Sequence, residues 1–142
     1  MPKSVLIIDD NAEDRYLLKR YLKKSGLQLT IAEVCDGEQG LEFLLKDEER
    51  GRHDADIEPT LVIFLDVNMP LMDGWQFLEL FREKREQIQI RPTVVVMYST
   101  SDLDEDKARC TQYDFVKNYV VKGSYSADEL KDTLVAACND VH

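Results

Sequence analysis

Apolar and polar positions along the chain alternate between short, wholly apolar runs and longer stretches with helical spacing. Residues 5–8, 61–65 and 93–98 are apolar at nearly every position. Such runs predict strands buried on both faces, as in a parallel sheet. Between them, residues 12–24 read as a helix stopped by Gly26, and residues 27–34 alternate loosely as a second strand. A second helix is predicted from Asp36, with Gln39 as its capping partner and Gly40, Leu41, Leu44 and Leu45 along one face. Asp73 and Gln76 open a third, with a stripe of Phe77, Leu78, Phe81 and Ile88. Asp102 and Glu105 start a charged fourth helix, and residues 119–121 lie in a fifth strand. Ser126 and Glu129 cap the last helix, whose inner face carries Leu130, Leu134, Ala137, Cys138 and Val141.

Five strand–helix units in succession predict an α/β fold: a five-stranded parallel sheet with right-handed crossovers and helices on both faces. One segment resists this pattern. Residues 46–59 are charged and interrupted by Gly51 and Pro59, which predicts the end of the second helix and a long exposed loop at about 47–59. His53 is read there as a solvated loop histidine.

Length and composition narrow the function classes. The 142 residues fit a single domain, 1–142, without a linker or repeat. The apolar runs are too short to span a membrane, and the N-terminus lacks a signal-peptide pattern, so the expected address is cytoplasmic with no membrane partner. Cys35, Cys110 and Cys138 lack metal-ligand spacing and read as reduced thiols. The formal net charge of −10 opposes nucleic-acid binding. It suits cations and basic protein surfaces, although a solvated acidic shell is the ordinary reading.

The candidate chemistry stands at the strand ends. Asp9 and Asp10 follow the first strand, and Asp66, then Asn68, Pro70, Asp73 and Gly74, follow the third. Ser99 and Thr100 follow the fourth strand, and Lys122 the fifth. Singly, each has an ordinary explanation as a helix cap, a turn residue or a solvated lysine. In the flavodoxin-like strand order 2-1-3-4-5, however, the first and third strands are neighbours and the acids converge at one sheet edge. Carboxylates packed so closely repel unless a cation joins them. Magnesium fits, because it takes one or two carboxylates together with waters and phosphate oxygens. Lys122 adds a fixed positive charge for a transferring phosphoryl group.

With these residues in this order, the chain resembles the receiver domain of two-component response regulators over essentially its whole length. With no output domain following, it looks like a stand-alone regulator of the chemotaxis type. The resemblance implies that Asp66 is a phosphoacceptor that attacks phosphohistidine on a sensor histidine kinase or a histidine phosphotransfer protein. It implies that Asp10, Asp66 and the Asn68 carbonyl ligate Mg2+, with Asp9 helping through water, and that Lys122 pairs with Asp66 or its phosphoryl group. Ser99 aligns with the switch hydroxyl, Thr100 being the competing choice, and Tyr119 with the aromatic that follows it. The resemblance further implies a non-enzymatic module, monomeric or weakly dimeric, whose phosphorylation alters a surface read by a downstream protein. Gly123 departs from the family pattern, which usually has a proline after the lysine, often in a cis peptide; here trans is expected. Three other readings compete. A phosphorylation-independent pseudo-receiver is opposed by the full acid set, and an aspartate-nucleophile phosphohydrolase by Asn68. A flavodoxin-like cofactor binder is opposed by the acids in its first turn.

Overall fold

The computed structural model describes residues 4–51, 60–88 and 93–139. Strands and helices alternate in the predicted order: β1 (Ser4–Ile8), α1 (Ala12–Lys24), β2 (Thr30–Val34), α2 (Gly37–Gly51), β3 (Leu61–Asp66), α3 (Gly74–Ile88), β4 (Thr93–Ser99), α4 (Asp104–Arg109), β5 (Val116–Val121) and α5 (Ala127–Asn139). All strand pairs are parallel, as the pattern predicts, and the sheet order is β2-β1-β3-β4-β5, that of the flavodoxin-like topology. β1, β3 and β4 are buried along their whole length, which explains their lack of polar alternation.

The two faces of the sheet build two cores. Leu6, Ile8, Ile63, Leu65, Val95 and Met97 pack with Phe77 and Phe81 of α3 and with Phe115. Val5, Ile7, Val62, Phe64, Val96 and Tyr98 pack with Leu18 and Leu22 of α1 and Leu130 and Leu134 of α5. The alternation of Leu6 with Ile7, and of Met97 with Tyr98, is the two-residue period of a strand sorting its side chains between faces. Between β4 and β5 the register jumps: Val95 faces Val116 but Val96 faces Asn118, so Lys117 is an extra residue in β5.

Several local expectations are corrected. β2 begins at Thr30, and Leu27 and Leu29 precede it, packed against the same α1/α5 core as Ile31 of the strand. Leu45 is exposed while Leu44 is buried, so the apolar face of α2 is narrower than its sequence implies. α2 runs through to Gly51, which removes the first part of the predicted loop; residues 52–59, including His53, lie outside the described residues. Val141 and the side chains of Ile88 and Cys138 lie outside them too. α4 is a short helix followed by a 3-10 turn at Cys110–Gln112, and Leu103, not Asp102, occupies its N-cap position without a side-chain cap. The Asp102 carboxylate instead accepts from Lys107. Cys110 is a free buried thiol, pushed up to about 11 by burial and by neighbouring Asp106.

Candidate functional site

β1 delivers Asp9 to the carboxyl edge of the sheet, and the chain turns at once into α1. Asn11 makes that turn, its side chain capping the helix by accepting the Asp14 N–H at 3.0 Å. Asp9 is fully buried, and both its carboxylate oxygens are held. Oδ1 accepts the Asn11 N–H at 2.9 Å, and Oδ2 accepts Lys122 Nζ at 3.0 Å and the Tyr98 hydroxyl. The Asp9 carbonyl accepts Arg15 Nη1 at 2.7 Å. Asp10, next in the chain, is exposed.

Asp66 ends β3 and is buried, its Oδ1 standing 3.2 Å from Lys122 Nζ. The Asn68 N–H approaches the same oxygen at 3.4 Å. The loop then folds back on the strand: the Gly74 N–H donates to the Val67 carbonyl at 2.8 Å. A Cβ at Gly74 would lie 2.6 Å from the Asp66 carbonyl oxygen and 2.9 Å from Val67 Cα, so only glycine fits this approach. Carboxylate oxygens of Asp9, Asp10 and Asp66 lie within 4.8 Å of one another.

Lys122 leaves β5 and closes the site, its backbone N–H donating to the Ser99 carbonyl at 2.7 Å. Its ammonium is shared by three acids, Asp9, Asp66 and Asp14, the last at 2.9 Å. The Lys122–Gly123 peptide is trans, as Gly123 led one to expect. Gly123 has a φ of +81°, with open space where a Cβ would stand, so torsion and not room selects the glycine.

Burial, then the charge of Asp9, pushes the Asp66 carboxyl up to about 7, with Lys122 opposing. Burial pulls on Lys122 in the opposite sense to its partners. Hydrogen bonds to Asp14 and Asp9 and the charges of Asp66 and Asp9 prevail, holding its pKa above the ordinary lysine value. Tyr98 is driven far above the usual tyrosine range by burial and then by Asp9, and is therefore a donor at any working pH. Several acids around one ammonium leave uncompensated negative charge. Their hard oxygens, with Asp10 open to solvent, match what Mg2+ takes from a protein.

The hydroxyl pair sits beside this cluster. Ser99 is fully buried at the end of β4, its Oγ accepting the Ser101 N–H at 3.1 Å, whereas Thr100 is exposed. Tyr119 is half-buried and donates its hydroxyl to the Ser101 carbonyl at 2.9 Å. Ser99 and Tyr119 thus hold the backbone of one residue, Ser99 accepting the Ser101 N–H and Tyr119 donating to the Ser101 carbonyl. Two residues of the site escape the sequence reading, Tyr98 and Asp14. A tyrosine ending a fully buried strand carries a hydroxyl that must find a partner, and that is the signal for Tyr98. Nothing local marks Asp14 apart from its place in the first turn of a helix.

Comparison with known proteins shows the family. The response regulator receiver domain family matches residues 5–135. The chain belongs to that family. The receiver is similar to the response regulator Rcp1 of Synechocystis, 28% identical over 105 residues that cover 74% of this chain and 67% of the relative. It superimposes on a two-component response regulator from Cytophaga hutchinsonii with a TM-score of 0.76 at 24% identity, covering 96% of this chain and 97% of that one. The receiver domain of the Arabidopsis thaliana histidine kinase CKI1, complexed with Mg2+ and BeF3−, gives 0.73 at 25% identity, covering 96% and 90%. The chain spans from 23% to 67% of the lengths of the first curated relatives it matches. No helix among the described residues is long and apolar enough to cross a membrane.

Proposed function

We propose that this receiver is the phosphoacceptor of a two-component phosphorelay, with Asp66 taking the phosphoryl group from a phosphohistidine of a sensor histidine kinase or histidine phosphotransfer protein. The observation that carries the reading is Lys122 Nζ at 3.2 Å from Asp66 Oδ1, beside the mutually close carboxylates of Asp9, Asp10 and Asp66. In the transfer, an Asp66 oxygen attacks phosphorus, the phosphorus–nitrogen bond breaks and its electron pair leaves with the imidazole. An acyl phosphate remains on Asp66.

Asp9, Asp10, Asp66 and the Asn68 carbonyl are the residues that would hold Mg2+. Bound there, the ion supplies charge neutralisation for the phosphoryl oxygens. Lys122 holds one of those oxygens by its ammonium, and burial of Asp66 keeps bulk water from its carboxylate. Ser99 is the switch hydroxyl. In turning to the phosphoryl group it releases the Ser101 N–H, and Tyr119, bonded to the same residue, carries the change to the surface at α4 and β5. Phosphorylation shifts that equilibrium because only one arrangement lets Ser99 contact the new oxygens.

The receiver acts as one domain in the cytoplasm, as a monomer or weak dimer signalling to a downstream protein. It catalyses only its own phosphorylation and dephosphorylation. The exposed face of α1, where Tyr16, Lys19, Arg20, Lys23 and Lys24 line a shallow groove, offers positive charge to an acidic partner. Incubation with Mg2+ and acetyl phosphate, followed by intact mass, tests the reading. One phosphoryl adduct is expected, and Asp66→Asn removes it. Multiple turnover of phosphoesters would make the protein a hydrolase. Absence of an adduct from acetyl phosphate and from kinases alike would make it a pseudo-receiver.

A further inference from the structure

We infer that Tyr98 is a positioning residue of this site: by donating its hydroxyl to Asp9, it keeps Asp9 from monopolising Lys122 and leaves the ammonium within reach of Asp66. The inference builds on the role proposed for Asp66. Tyr98 is 1% exposed and stands opposite Asp66 in the β3–β4 register. Its ring packs edge-on against Phe64, with centroids 6.3 Å apart, and lies 4.8 Å from Lys122 Nζ. Phenylalanine would fill this space equally well. What the hydroxyl adds is a hydrogen bond to Asp9 Oδ2, 89 residues away in the chain.

That oxygen is the point of competition. Asp9 Oδ2 accepts from two donors, Tyr98 and Lys122, and its residue has no solvent exposure. Lys122 in turn has three acceptors, at 2.9 Å in Asp14, 3.0 Å in Asp9 and 3.2 Å in Asp66, so Asp66 makes the longest of the contacts. Without the tyrosine hydroxyl, a buried carboxylate oxygen depends on the ammonium alone. The ammonium shifts toward Asp9, and the contact given up is the one to Asp66. Tyr98 therefore acts through Asp9 on Lys122 and touches neither the phosphoryl donor nor its product.

The test compares the wild-type chain with Tyr98→Phe, Asp9→Asn and the double variant, thermal melts establishing that each is folded. At saturating Mg2+ with acetyl phosphate, Tyr98→Phe is expected to form the Asp66 adduct about tenfold more slowly, the loss usual for removing a partner that orients an active group. Because the tyrosine works through Asp9, the double variant is expected to be no slower than Asp9→Asn alone. Lysine-ammonium NMR of the unphosphorylated chains gives an independent readout. The Lys122 signal is expected to move on Tyr98→Phe, and to stay in place when that change is made in the Asp9→Asn background. A wild-type rate for Tyr98→Phe, losses that multiply in the double variant, or the same NMR shift in both backgrounds would each overturn the inference. A wild-type chain that accepts no phosphoryl group, with the Asp9-dependent shift present, would sink the role of Asp66 and leave that of Tyr98 standing.

Discussion

Asp66 is a carboxyl group that the fold holds against its own ionisation. Its ordinary value is 3.8, and burial with Asp9 alongside pushes it up to about 7 in the cation-free protein. A raised acid favours the folded state only while it is protonated, so its stabilisation, complete below about pH 4, is lost as pH rises toward 7. Asp66→Asn removes that loss, and Lys122 keeps Asp9 and Asp14 as partners. In thermal melts without divalent cations, the variant is expected to melt about 5 °C above wild type at pH 8, and the gap should close near pH 4. A gap that persists unchanged at low pH would mean that ionisation of Asp66 is not the cause. The residue proposed as the phosphoacceptor is thus also a weak point of the fold, a common relation between a buried ionisable group and a functional site.

Elements report how far the sequence alone reaches. The Asp73–Gln76 capping box is legible because its partners are three residues apart: the Gln76 N–H donates to Asp73 Oδ1 at 2.8 Å and the Asp73 N–H to Gln76 Oε1 at 2.9 Å. Asp73→Ala is expected to cost about 1 kcal/mol in chemical denaturation. Gly74→Ala should cost about 2 kcal/mol or more, since its methyl group meets backbone that cannot yield. The strand–helix alternation follows from burial patterns, the order 2-1-3-4-5 is supplied by the flavodoxin-like topology, and the convergence of the strand-end acids follows from that order. Reading fails where partners are distant or where one short helix has rival caps. At α4, Ser101 Oγ accepts the Leu103 N–H and donates to the Asp106 carboxylate, while Asp102 accepts from Lys107, so the expected cap never forms. The Lys122–Asp14 contact spans 108 residues, and no local pattern encodes it. Ser99 and Thr100 are separable only by the strand's end, which buries one and exposes the other.

For the molecule as a whole, a net charge of −10 makes added NaCl stabilising to some degree, through screening of self-repulsion. The cation site proposed at Asp9, Asp10 and Asp66 would add a term that screening cannot supply. MgCl2 is therefore expected to raise the melting temperature above NaCl of equal ionic strength, and Asp10→Asn, at an exposed acid of the cluster, should erase most of the difference. Equal effects of the two salts would leave only screening. The extra residue in β5 has a consequence of the same global kind. Counted by simple alternation from Val116, Tyr119 would fall opposite Tyr98 on the α1/α5 side, and Lys122 would belong with the opposite face. The bulge at Lys117 reverses that parity, setting Tyr119 beside Met97 and Val120 beside Tyr98. One spare residue thus chooses which side chain of β5 meets the acids and which meets the Ser101 carbonyl. The reading frame of this strand is kept by length and not by residue type. Deleting Lys117 should leave the adduct in place, because every pair from Val96–Asn118 onward keeps its register without the spare residue.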